Sequence, residues 1–122
     1  MNKVLHSFGV KIMYHTDGAV MDALEGLADM GIDILEALQF DARGMDPEEM
    51  KRRVGDRIAF HGGVSVQSTM PFGTAEDVGN EVRNRIDVLG KKGGYILAPS
   101  HAIQAGTKPE NVIALLKAAD RY

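Results

Sequence analysis

Cysteine is absent from the 122 residues of this chain. Its absence removes disulfide staples, thiolate metal ligands and cysteine nucleophiles together. Nor does any apolar run approach the ~20 residues that span a bilayer, and the N-terminus lacks the cleavable apolar segment of a secretory signal. The expectation is a soluble cytoplasmic protein with no membrane partner. A basic block is missing too: 14 Lys+Arg stand against 17 Asp+Glu for a net charge of -3, which argues against a nucleic-acid partner. What remains is ordinary globular material, 44% hydrophobic and 25% charged, enough for one core and one domain over residues 1–122.

One pattern recurs along the chain. Val10–His15, Ile32–Leu38, Arg57–Gly62 and Tyr95–Ser100 are short apolar runs rich in β-branched and aromatic residues, bounded by Gly or Asp, and read as buried strands. Each is followed by apolar residues at helical spacing: Val20, Leu24, Leu27 and Ala28; Met50 and Val54; Val78, Val82, Ile86 and Leu89; Val112, Leu115, Leu116 and Ala119. Met13, Met21, Met30 and Met50 read as core filler, and His6 as part of a frayed N-terminus. Helix starts are predicted at Asp46-Pro47-Glu48-Glu49 and at two capping boxes, Thr74 to Asp77 and Thr107 to Glu110. Gly31, Gly55 and the Gly90–Gly94 region are the expected stops, through left-handed glycine.

Repeated βα units with nearly continuous apolar strands predict an α/β fold with a parallel sheet, and right-handed crossovers put every strand's C-terminal end on one edge. His15 and Asp17, Gln39 and Asp41, His61, and Ser100 and His101 all follow those ends. The topology therefore gathers them on a common rim, where sites form in such folds.

The segments GVKIMYHTDG, LEALQFDARGMDPEEMKRRVGDRIAFHGGVSVQ, PFGTAEDV and GGYILAPSHAIQAGTKPENV resemble the C-terminal half of the uroporphyrinogen decarboxylase superfamily, which includes the decarboxylase of haem biosynthesis and the methylcobamide:coenzyme M methyltransferases. The resemblance implies a (β/α)8 TIM barrel, of which only four βα units are present here. It also implies a role for His101, at the position of a substrate-contacting histidine in the decarboxylases and of a zinc-binding cysteine in the methyltransferases. His15 stands at the first histidine of the methyltransferases' His-x-Cys zinc motif, with Asp17 in place of the cysteine.

His15, Asp17 and His101 would then form a metal set of two histidines and one carboxylate, suited to zinc and equally to another divalent metal. Asp41 would be a fourth ligand or an acceptor behind the ligands, with His61 a further group supporting them. Against this stands the reading of Asp17 as a turn or helix cap, since Asp-Gly is a common turn signal. Ser65 occupies a position where relatives carry aspartate, and the arginine pair and aspartate that serve the decarboxylases belong to the N-terminal half.

Three functions follow from the resemblance: methyl transfer between a small-molecule substrate and a corrinoid protein, a tetrapyrrole (porphyrin-precursor) carboxy-lyase half, or a non-catalytic binding or oligomerisation module. Four strands do not close a barrel, so pairing into a homodimer is expected.

Overall fold

A computed structural model describes residues 2–120. Helix α1 (Asn2–Ser7) precedes strand β1 (Met13–His15); a 3-10 turn (Met21–Ala23) leads into α2 (Leu24–Asp29) and then β2 (Ile34–Leu38). There follow α3 (Pro47–Val54), β3 (Ala59–Val64), the single turn α4 (Thr69–Phe72), α5 (Ala75–Leu89), β4 (Tyr95–Pro99) and α6 (Pro109–Ala119). All neighbouring strands are parallel, in the order β1-β2-β3-β4. An unbroken strand order with right-handed crossovers sends the connecting helices α2, α3 and α5 to the same side, and this arrangement is part of a TIM barrel.

The two faces of the sheet are accordingly unlike. Leu35 and Phe60, in register with each other, are fully buried under Leu24, Leu27, Met50, Val54 and Leu89 from the helices. Val64 packs with Val78, Val82, Met70, Leu115 and Ala118 in a second cluster beneath α5 and α6. The opposite face carries Met13 and Ile96, which are 50% and 43% exposed, and a polar row described below. Met30 is also largely exposed, so of the four methionines Met50 alone is fully buried, and Met21 packs at the margin of the core.

The predicted starts hold at two sites and fail at the third. The Asp46 carboxylate accepts from the Glu49 N–H, with Pro47 beginning the helix, and Thr74 and Asp77 form a reciprocal capping box. At α6 the N-cap is Lys108, and no side chain caps it. Proline at 109 forces the residue before it into an extended conformation, which makes Lys108 the last residue outside the helix and leaves Thr107 one position too early. The Thr107 hydroxyl is buried without a partner. Among the stops, Gly31, Gly93 and Gly94 are left-handed, whereas Gly55 and Gly90 keep right-handed φ values of -70° and -77°.

The first strand is shorter than its apolar run. At its start the Asp33 carboxylate accepts from the Ile12 N–H at 2.8 Å, from Lys11 Nζ at 2.9 Å and from His6 Nε2 at 2.7 Å. Lys11 foremost, then the Ile12 amide and His6, hold the Asp33 carboxyl well below the usual carboxylate range. His6 is thereby part of a docked helix, secured also by Asn2 Nδ2 donating to the Met30 carbonyl at 2.6 Å.

Candidate functional site

Parallel register builds the rim. His15 on β1 lies beside Glu36 on β2, and Glu36 beside His61 on β3. All three therefore stand on the face away from the helices, since their neighbours Leu35 and Phe60 are buried on the other. His101 follows β4 just beyond Ser100, which is 2% exposed. Ser100 donates its N–H to the Val64 carbonyl at 2.7 Å and accepts from the Val66 N–H at its hydroxyl, 3.3 Å. This anchor fixes where His101 emerges.

His15, Asp17 and His101 are brought together as the sequence reading expects: each offers one ligand atom, and these atoms lie within 4.8 Å of one another. The rings of His15 and His101 meet edge to face, with centroids 5.6 Å apart and planes at 81°. Three points no farther apart than that share a centre at most about 2.8 Å from each, so a contraction of roughly 0.7 Å per donor reaches zinc bonding distance. Two imidazoles and one carboxylate are a donor set that divalent zinc accepts. Asp17 is not a helix cap, because neither the 3-10 turn after it nor α2 has a side-chain cap, while Gly18 beside it has a left-handed φ of +75°, in keeping with Asp-Gly as a turn.

Asp41 and His61 stand outside this trio. Asp41 accepts from Ser68 Oγ at 2.8 Å, and Ser68 is bonded through its hydroxyl to Ser65. Ser65, buried, accepts from the Gln67 and Ser68 N–H groups and so shapes the turn after β3. His61 Nδ1 is buried with no hydrogen-bond partner, 3.8 Å from Glu36 Oε1.

The residue that sequence reasoning missed is Glu36. Its Oε2 is hydrogen-bonded to His15 Nδ1, which leaves Nε2 as the nitrogen of His15 available to a metal. A carboxylate inside an otherwise apolar strand, in ILEAL, is the signal that marks it.

Comparison with known proteins agrees with this architecture. The family model described as Uroporphyrinogen decarboxylase (URO-D) matches residues 1–122. Uroporphyrinogen decarboxylase from Dechloromonas aromatica is 34% identical over 100 residues, covering 81% of this chain and 26% of its own length. The enzyme of that name from Pseudoalteromonas translucida is 30% identical over 95 residues, covering 75% of this chain and 26% of its own. Among solved structures, a methyltransferase from Methanosarcina mazei superposes with a TM-score of 0.77 at 28% identity, covering 98% of this chain and 34% of that one. The chain thus spans about a quarter of the curated relatives and a third of the methyltransferase. With a family match over its whole length, the chain belongs to the uroporphyrinogen decarboxylase family.

Proposed function

We propose that His15, Asp17 and His101 hold one divalent metal, zinc foremost, and that the protein acts on the methyltransferase side of its family, moving a methyl group between a small thiol or methoxy-type substrate and a corrinoid protein. The observation that carries this reading is the convergence of the three donor atoms within 4.8 Å at the sheet's C-terminal rim. Likeness to the M. mazei methyltransferase along nearly the whole chain supports it.

What zinc supplies when bound is a lowered thiol pKa, and with it a thiolate at neutral pH. The chain's own part is electrostatic and positional. Two neutral imidazoles and one carboxylate leave a divalent site with net positive charge, the condition for holding an anionic sulfur beside it. All three side chains are exposed, so substrate can approach from the open face of the sheet.

Among the described residues, the outer strands β1 and β4 each have a neighbour on one side only. We infer that a second copy completes the wall, β1 of one chain beside β4 of the other, since two four-stranded units supply the eight strands that close such a barrel.

The names of the curated relatives favour a second reading, a tetrapyrrole carboxy-lyase half in which His101 contacts the substrate. The two are separated by elemental analysis of the purified protein together with two assays. Methyl transfer predicts about one zinc per chain and thiol-dependent loss of the methylcobalamin spectrum. A metal-free protein that binds uroporphyrinogen and leaves methylcobalamin intact would overturn it.

A further inference from the structure

Strand β2 and Gln39, the residue just after it, contribute no donor to the metal trio, yet they touch two of the segments that do. Glu36 Oε2 is bonded to His15 Nδ1. Three residues on, Gln39 Oε1 accepts the Gly18 N–H at 2.9 Å, holding the turn that presents Asp17. In a regular strand, residues three apart face opposite sides, so these two contacts need an irregularity between them. It is there: the pairing of β2 with β3 shifts between Glu36 and Leu38, and Ala37 has φ of +70°.

A non-glycine residue in the left-handed region inside a strand is costly, and such strain persists where its surroundings impose it. The shift sends Leu38 into the core, at 1% exposure, and Gln39, the next residue, reaches the Gly18 N–H. The partner strand accommodates it with glycine: a Cβ on Gly62, whose φ is +109°, would lie 3.2 Å from the Leu38 amide nitrogen and 3.4 Å from the Pro99 carbonyl.

We propose that β2 is a positioning strand for the metal site, with Glu36 setting the ring orientation and tautomer of His15, Gln39 just after it setting the Asp17-Gly18 turn, and the bulge at Ala37 allowing both contacts. The proposal rests on the metal reading for its purpose, but the geometry of His15 is testable without metal. Glu36 acts through His15: its carboxylate accepts the Nδ1 proton and leaves the Nε2 lone pair directed outward. Its other oxygen, Oε1, lies 3.8 Å from His61 Nδ1, beyond hydrogen-bond distance.

The test uses the intact chain and zinc alone as the probe. Nitrogen-15 spectra of the metal-free protein, recorded where the spectra themselves show neutral imidazole, are expected to show His15 as the Nδ1–H tautomer and Glu36→Ala to lose that preference. Zinc affinity, measured by competition with a chromophoric chelator, is expected to fall about 10- to 100-fold in Glu36→Ala, the usual range for losing the partner of a ligand histidine. Glu36→Gln, which keeps an acceptor, should recover part of the loss, and Gln39→Ala should weaken binding while leaving the His15 tautomer unchanged. Thermal melting without metal shows whether each variant is folded.

An Nε2–H tautomer at His15 in the unaltered protein would overturn the proposal, as would zinc affinity in folded Glu36→Ala within about twofold of the original. Should the unaltered protein take up no zinc while His15 keeps its Glu36-dependent tautomer, the metal reading fails and the positioning role of Glu36 stands.

Discussion

Replacing Asn111 is expected to weaken the attachment of α6 to the rest of the fold. Asn111 is 1% exposed, and its Nδ2 donates to two carbonyls, those of Met70 and Gly73, both at 2.9 Å. These carbonyls sit at the end of α4, which stops at Phe72, so they lie where a helix has no backbone donors left to offer. One buried amide therefore closes the turn that precedes α5 and fastens α6 to it.

Asn111→Ala removes two hydrogen bonds, each worth about 1 kcal/mol net, and leaves carbonyls whose desolvation goes uncompensated at a further 1–3 kcal/mol or so. Partial access of water at Gly73 reduces that sum, and about 3 kcal/mol is the working figure. For a chain of this size the melting temperature should fall by roughly 10 °C. Asn111→Asp is the sharper control. It turns an oxygen toward two oxygens and buries a charge, so it should be less stable than the alanine variant at neutral pH and recover as acid protonates it. Circular-dichroism melts and urea titrations measure both. An alanine variant melting within about 2 °C of the original would refute the reasoning.

Thr74→Ala should cost about 1–2 kcal/mol by removing the reciprocal cap of α5, whereas Thr107→Ala should fall within about 0.5 kcal/mol of the original in the same chemical denaturation, its hydroxyl having no partner to lose. Ala37→Gly relieves a positive φ and should leave stability unchanged or raise it by up to about 1 kcal/mol; a loss larger than that would show the left-handed conformation to be absent in solution. Asp33 has a depressed folded pKa, so its contribution is fully present above the unfolded value near ~3.9 and is lost as pH falls toward the folded one. Asp33→Asn should therefore destabilise at pH ~7 and show a shallower acid limb below about pH 4, read from urea midpoints across pH; parallel limbs would contradict the assignment.

How legible these features were depends on whether they are local or relational. The βα alternation is local: apolar runs at strand length and apolar residues at helical spacing suffice, and the order β1-β2-β3-β4 follows from parallel strands and handed crossovers. The approach of His15, Asp17 and His101 was readable because each lies at or just beyond a strand's C-terminal end. The face of α6 was not, since the buried positions include Asn111 and Ala118 while Leu116 is 59% exposed. An asparagine enters the core only because α4 presents it with two free carbonyls, and no spacing rule contains that fact. Thr107 failed for a local reason that was available, the constraint that Pro109 imposes on Lys108. Glu36 needed the register itself: its meaning arises from His15 on one side and His61 on the other.

The central claim, that the rim trio is a metal site, is tested most directly by equilibrium zinc titration of the intact chain beside its His101→Ala variant. One site per chain is expected in the unaltered protein, with an affinity lowered at least about 100-fold when one of the three donors is removed, the scale on which a lost direct ligand exceeds a lost supporting contact. Zinc binding no tighter in the unaltered chain than in His101→Ala would contradict it.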